Sequence, residues 1–242
     1  MRAACLQQQV EPCKNEKNLS RALQMARAAL DGGAQILVYP ELFLTGFCYE
    51  PSPAAAEDPT FSALDPFRAL AEVHECLIIG SVRSGRRNLG FCLDSVGLEL
   101  RPKIHPFGEE KEHFDGGNFI SPVATKWGRV GLQICYDLRF PEVARSLALQ
   151  GADFLVTIAQ FPAPRREQWR TLALARAIEN QIPHLACNWA NAGGSLIINA
   201  RGIVMAEAAA GETIIWGDID LVERDDVRRE IACFADRRPE IY

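Results

Sequence analysis

The sequence predicts an α/β protein in which two mixed β-sheets are sandwiched between outer helices. Three observations predict it. Apolar runs of strand length alternate with stretches of helical spacing in both halves of the chain, and paired runs separated by short turns mark antiparallel neighbours. No stretch reads as a linker, so the 242 residues form a single domain.

The first helix is predicted over residues 15–30, where Leu19, Leu23, Ala26 and Leu30 recur at helical spacing before Gly32 and Gly33 end it. Residues 35–39 form a short apolar run stopped by Pro40, the pattern of a strand buried inside a sheet. Residues 49–59, rich in Pro, Ala and acidic side chains, read as a loop, and residues 61–75 as a helix. Residues 76–82 and 88–94 are strands that pair antiparallel across a turn containing Gly85. In the second half, strand 130–135 is followed by a helix after Pro141, a strand over 154–159, a long helix over 165–180 and a strand over 184–188. Strands over 195–199, 203–206 and 213–219 and a helix over 221–230 complete the chain before a polar tail.

Composition narrows the function classes. With 48% hydrophobic and 24% charged residues the chain is an ordinary globular one and not a disordered tract. A formal net charge of -5 leaves no basic field for a phosphate backbone, which argues against a nucleic-acid partner. The longest apolar runs, over 76–82 and 154–159, are far short of the roughly 20 residues a spanning helix requires. Residues 1–6 carry one positive charge and no signal-like apolar core, so a cytoplasmic protein is expected. The eight cysteines are widely spread, without a CxxC or zinc-like spacing, and most read as reduced, buried small side chains. There is no glycine-rich phosphate loop of the dinucleotide or Walker type.

Three positions could carry chemistry. Cys135 ends an apolar strand and is followed by Tyr136, Asp137, Leu138 and Arg139, which places its sulfur at the rim of a sheet beside free backbone N–H groups. Most cysteines in such runs are packing residues, and it is the location and polar flank that set this one apart. Glu41 stands alone among apolar residues after Tyr39-Pro40, where burial would raise its pKa toward the range of a general base; a carboxylate capping a turn is the competing reading. Lys103 lies between Pro102 and Pro106, ahead of the acidic run Glu109-Glu110-Lys111-Glu112, and both would by default be solvated. Two other chemistries compete. A Cys-His hydrolase would need His74, His105, His113 or His184 as its base, none with a recognisable flank, and a metal site on His105, Glu110 and His113 lacks the HExxH spacing of a zinc hydrolase.

Taken together, these segments resemble the nitrilase superfamily of carbon–nitrogen hydrolases. The resemblance is carried by Tyr39-Pro40-Glu41 with Thr45-Gly46, by Lys103-Ile104-His105, and by the run from Ile134 through Cys135 to Glu142. The helix from Trp169 to Asn180, ending in Ala175-Arg176-Ala177-Ile178-Glu179-Asn180, is the fourth block. It implies a four-layer α-β-β-α sandwich bearing a Glu-Lys-Cys triad, no metal or organic cofactor, and assembly into homodimers or larger homo-oligomers. Carried over, Glu41 is the base, Lys103 the cation and Cys135 the nucleophile; a second glutamate corresponds to Glu110, with Glu109 and Glu112 as alternatives. All three triad residues are present, which argues against an inactive binding protein.

Within the superfamily the motifs are most similar to ω-amidases, which release ammonia from short dicarboxylic acid monoamides. Nitriles and N-carbamoyl compounds are the alternative substrates. The resemblance implies substrate contacts from Tyr136, Arg139 and Trp169. Arg139 or Arg165 could hold a free carboxylate, with structural ion pairs as the other reading of both. Residues 188–194 are short for a stretch that often shapes the pocket.

Overall fold

The computed structural model describes residues 1–49 and 60–241. Apart from Tyr49, the loop expected over 49–59 lies outside the described residues.

The chain builds two six-stranded mixed sheets. In the first, β1 (Arg2–Gln7), β2 (Ile36–Val38) and β3 (Leu77–Ser84) run parallel, and β4 (Arg87–Leu93) and β5 (Leu98–Pro102) continue antiparallel from β3. The late strand β12 (Thr213–Asp218) closes this sheet against β1, giving the order β12-β1-β2-β3-β4-β5. The second sheet has the same logic. β7 (Gly128–Ile134), β8 (Phe154–Ala159) and β9 (His184–Asn188) are parallel. β6 (Val123–Thr125) flanks them on one side and β10 (Leu196–Ile198) and β11 (Val204–Glu207) on the other, all antiparallel.

Alternation along the strands sets the layers, because successive side chains point to opposite faces. On the first sheet Ala3, Cys5, Ile36, Val38, Leu77 and Ile79 face the second sheet and join Val130, Leu132, Ile134, Val156 and Ile158 in the central core. Their neighbours Ala4, Leu6, Leu37, Tyr39 and Ile78 face outward into a second core. That outer core is covered by α1 (Asn15–Asp31) and α2 (Asp65–His74), which contribute Ala22, Met25, Ala26, Ala29, Phe67 and Ala71. On the other side α4 (Pro141–Leu149) packs Val143, Ala144 and Leu147 against Leu155, and α5 (Arg166–Asn180) buries Trp169, Ala173 and Ala177. The result is the four-layer sandwich. The sheets approach closely where Gly90 faces Leu132 and Ile134; a Cβ there would come within 2.6 Å of the Leu132 side chain.

The elements differ from expectation in instructive places. β1 lies between β12 and β2, yet its run Arg-Ala-Ala-Cys-Leu-Gln has no β-branched or aromatic residue, so its strand character comes from its neighbours. The edge strands β5 and β6 likewise went unread. β3 runs on to Ser84, so the expected turn contracts to Gly85 and Arg86, with Gly85 at φ 54°. The acidic run is no solvated loop: residues Glu110–His113 form the one-turn helix α3. The cysteine reading needs one correction. Cys13 and Cys48, 35 residues apart, form a disulfide because the loop after β2 folds back along the segment before α1, where the Cys13 N–H donates to Thr45 O. Cys5, Cys76, Cys92, Cys135 and Cys187 are buried thiols and Cys233 an exposed one. Among the described residues no helix is long and apolar enough to cross a membrane.

Candidate active site

The C-terminal ends of β2 and β7 meet where the two sheets face each other, and the chemistry-bearing side chains converge there. Glu41 follows β2 by three residues and is fully buried. Its Oε1 accepts from Lys103 Nζ at 2.7 Å and from Asn88 Nδ2 at 2.8 Å, and its Oε2 accepts from the Gln160 N–H at 3.1 Å. The Trp189 indole N–H donates to the Glu41 backbone carbonyl at 2.6 Å. The carboxylate is thus held by donors from three separate segments, and the Glu41 backbone by a fourth.

Lys103 is the residue after β5, anchored by its own N–H on Asn88 O and by Gly117 N–H on its carbonyl. Its ammonium is 1% exposed and lies between two carboxylates, with Glu110 Oε2 at 2.6 Å on the other side. Burial works against that charge, but the carboxylates of Glu41 and Glu110 outweigh it and keep the amine protonated well above the ordinary lysine range. α3 decides the second glutamate. Glu110 is buried on Lys103, whereas Glu109 and Glu112 are exposed. Burial, followed by the charge of Glu41, pushes the Glu110 carboxyl up to about 7 against the pull of Lys103.

Cys135 follows β7 directly and opens a tight helical turn, Cys135–Arg139. Its φ of 49° is left-handed, an unfavourable conformation for a side chain with a Cβ, and such strain persists only where the surroundings impose it. The thiol donates to Gln160 O at 3.7 Å, so the backbone of one residue touches both Cys135 and Glu41. Burial pushes the thiol well above its usual range, Glu41 adds to the effect, and Lys103 opposes it. At rest the sulfur carries its proton.

A small cavity of about 90 Å³ opens beside Cys135, Glu110 and Gln160, walled by Phe107, Tyr136 and Phe161. Arg139 and Arg165 stand on its rim, and neither forms an ion pair among the described residues. Arg139 donates to Gln168 Oε1 and lies over the Phe161 ring, while Arg165 lies over Phe107. Tyr136 and Arg139 therefore sit where substrate contacts were expected. Trp169 does not. It is fully buried behind Phe161, with ring centroids 5.3 Å apart, and its N–H is committed to Gly194 O at 2.7 Å. It faces inward from α5 and supports the cavity wall instead of lining it.

The competing sites come apart. His105 is bonded to Asp137, Glu110 to Lys103, and His113 stacks on Tyr49, so the three groups point to different partners. No group of three or more metal-ligating side chains is assembled among the described residues. His184 lies in the core between Thr157 and the Ala173 carbonyl, and burial lowers its pKa to about 4. Sequence reasoning missed Asn88, Gln160 and Trp189 as site residues. A lone Asn in an apolar strand was the faint signal for the first; Gln160 acts through its backbone and left none.

The family model for carbon-nitrogen hydrolases matches residues 2–229. The chain belongs to the carbon–nitrogen hydrolase family. It is 33% identical over 260 residues to 2-oxoglutaramate amidase of Bacillus subtilis, covering 99% of this chain and 98% of that one. It is 30% identical to the human omega-amidase NIT2, covering 100% and 96%. Among solved structures, an amidase mutant from Nesterenkonia sp. AN1 with the acetamide moiety of fluoroacetamide on its active-site cysteine superposes with TM-score 0.82 at 25% identity, covering 96% of this chain and 95% of that one. The carbon–nitrogen hydrolase from Helicobacter pylori G27 superposes with TM-score 0.91 at 24% identity, covering 100% and 97%, and so shares the fold. The present carbon–nitrogen hydrolase is accordingly an amidase-type enzyme of this superfamily.

Proposed function

We propose that this hydrolase releases ammonia from a short amide bearing a free carboxylate, a dicarboxylic acid monoamide, through a thioester on Cys135. The observation that carries the substrate class is the pair Arg139 and Arg165, two guanidiniums without ion-pair partners among the described residues, on the rim of the cavity that holds Cys135. A guanidinium suits bidentate carboxylate recognition. The cavity, at about 90 Å³, is far below the several hundred Å³ of a drug-sized pocket and favours a chain of a few carbons. The names of the amidase relatives support the same class.

In the proposed reaction Glu41 takes the thiol proton as sulfur adds to the amide carbonyl. Two of the three Lys103 N–H donors are spent on Glu41 and Glu110, and the third, with the Tyr136 backbone N–H, holds the oxyanion. Glu41 returns its proton to the departing nitrogen as the C–N bond breaks, leaving the thioester and ammonia. Water then adds to the thioester, giving its proton to Glu41, and collapse releases the acid and restores the thiol. The reading includes a homo-oligomer working in the cytoplasm. The Cys13–Cys48 disulfide pulls against that location, since such bonds are rare in reducing compartments. Light scattering that returned a 26.8 kDa particle would refute the assembly.

The deciding experiment is ammonia release from succinamate, from neutral butyramide, and from nitriles and N-carbamoyl compounds of equal length. The proposal expects the carboxylate-bearing amide to have the highest kcat/KM. A preference for the neutral amide, nitrile or carbamoyl compound overturns the substrate class.

A further inference from the structure

The block Ala175-Arg176-Ala177-Ile178-Glu179-Asn180 closes α5 away from the cavity, and the reaction above makes no use of it. It nevertheless contains a guanidinium at 4% exposure, and burying such a charge is unfavourable unless its N–H groups are well placed. Arg176 sends both Nε and Nη2 to one oxygen, the carbonyl of Leu138, at 3.1 and 2.8 Å. Its Nη1 is fixed by Glu179 Oε1 at 2.9 Å, and Asn180 Nδ2 returns to the Arg176 carbonyl at 2.9 Å.

Leu138 belongs to the turn that Cys135 opens. At the near end Asp137 accepts from the N–H groups of Ile134, at 3.1 Å, and His105, at 2.9 Å, which ties the turn to the Lys103 segment. At the far end, among the described residues, Arg176 is the side-chain donor to Leu138 O, with two N–H groups on it. The strained φ of Cys135 lies between these two clamps.

We propose that Arg176, oriented by Glu179, is a positioning residue for the nucleophile. It holds the turn Cys135–Arg139 in the conformation that aims the Cys135 sulfur and the Tyr136 N–H at the substrate carbonyl. Without it the Leu138 carbonyl loses both donors, the turn relaxes toward ordinary φ, and the sulfur and oxyanion donor move together. The inference rests on Cys135 being the nucleophile.

The test uses the full-length protein and iodoacetamide, with Cys135 alkylation followed by peptide mapping across the thiol titration. Thermal midpoints, and kcat and KM on succinamate, are measured in parallel. Arg176→Ala is expected to slow Cys135 alkylation and lower kcat by about 10- to 100-fold, the scale of a small misplacement of a reacting atom, while KM changes little. Arg176→Lys, which offers a point charge in place of the planar fork, should recover part of both rates. A variant that melts earlier but alkylates Cys135 and turns over at the wild-type rate per folded molecule overturns the proposal. Should Arg176→Ala fail to fold, Arg176→Lys and Glu179→Gln decide: wild-type alkylation in both overturns it, and slowed alkylation with a shifted pH profile supports it. Succinamate turnover that survives complete alkylation of Cys135 in the wild type would instead sink the functional reading, and this inference with it.

Discussion

The Lys103 ammonium lies 2.7 Å from Glu41 Oε1 and is shared with Glu110 on its other side at 2.6 Å, so removing one carboxylate leaves the buried cation a partner. Glu41→Gln should therefore fold. The amide keeps the shape of the side chain but cannot accept the thiol proton, and both half-reactions need that acceptor. Turnover is expected to fall ~100- to 10,000-fold, the usual contribution of general acid–base catalysis, with a small change in thermal midpoint. A small loss of rate paired with a large loss of stability would identify Glu41 as a packing residue.

Glu110 makes stability pH-dependent with a defined sign. Its carboxyl titrates near 4.5 in the unfolded chain and is raised to about 7 in the fold. Between those values the fold retains a proton that the unfolded chain has released, so the contribution of Glu110 is most favourable below pH 4.5 and is lost as pH rises through about 7. The difference in thermal midpoint between wild type and Glu110→Gln should fall across that window and level off above it. A flat difference would place the proton elsewhere.

Arg139 and Arg165 can be separated by kinetics on two substrates. If either guanidinium binds the carboxylate, Arg139→Gln or Arg165→Gln should raise KM for succinamate by about 10- to 100-fold, the scale of a hydrogen bond to a charged group, while butyramide hydrolysis barely changes. Equal losses on both substrates would assign the residue to the architecture of the pocket.

Legibility from sequence followed physical locality. Glu41 and Cys135 stand beside distinctive local runs; Lys103 was legible only through the resemblance of its segment, and Glu110 only as one of three acidic residues there, and the structure brings these four together. The layers were legible for a similar reason: β8, β9 and α6 (Leu221–Glu230) fall where their apolar spacing placed them. β1 was not, since the partners that make it a strand lie 33 and more than 200 residues away. Asn88 and Gln160 were illegible because they matter through contacts to Glu41 across 47 and 119 residues. No local pattern encodes such meetings.

Trp169 illustrates the same limit and supplies the last test. An aromatic residue at the start of a motif-bearing helix suggested a substrate contact, but its ring is fully buried behind Phe161 and its N–H is spent on Gly194 O at 2.7 Å. That bond ties α5 to the segment between β9 and β10, which Asn188 at the end of β9 also holds through Gly193 and Ser195. Trp169→Phe keeps most of the apolar bulk and removes the donor, leaving a buried carbonyl with one partner fewer. The expected outcome is a loss of about 1–3 kcal/mol in unfolding free energy, measured by denaturant titration, the scale for an unmade buried hydrogen bond. Relative kcat/KM for succinamate and butyramide should stay as in the wild type, because nothing on the cavity surface is exchanged. A residue that touched substrate would behave in the opposite way, with the ratio of the two substrates shifting and the denaturation curve holding still. That pattern would return Trp169 to the cavity wall.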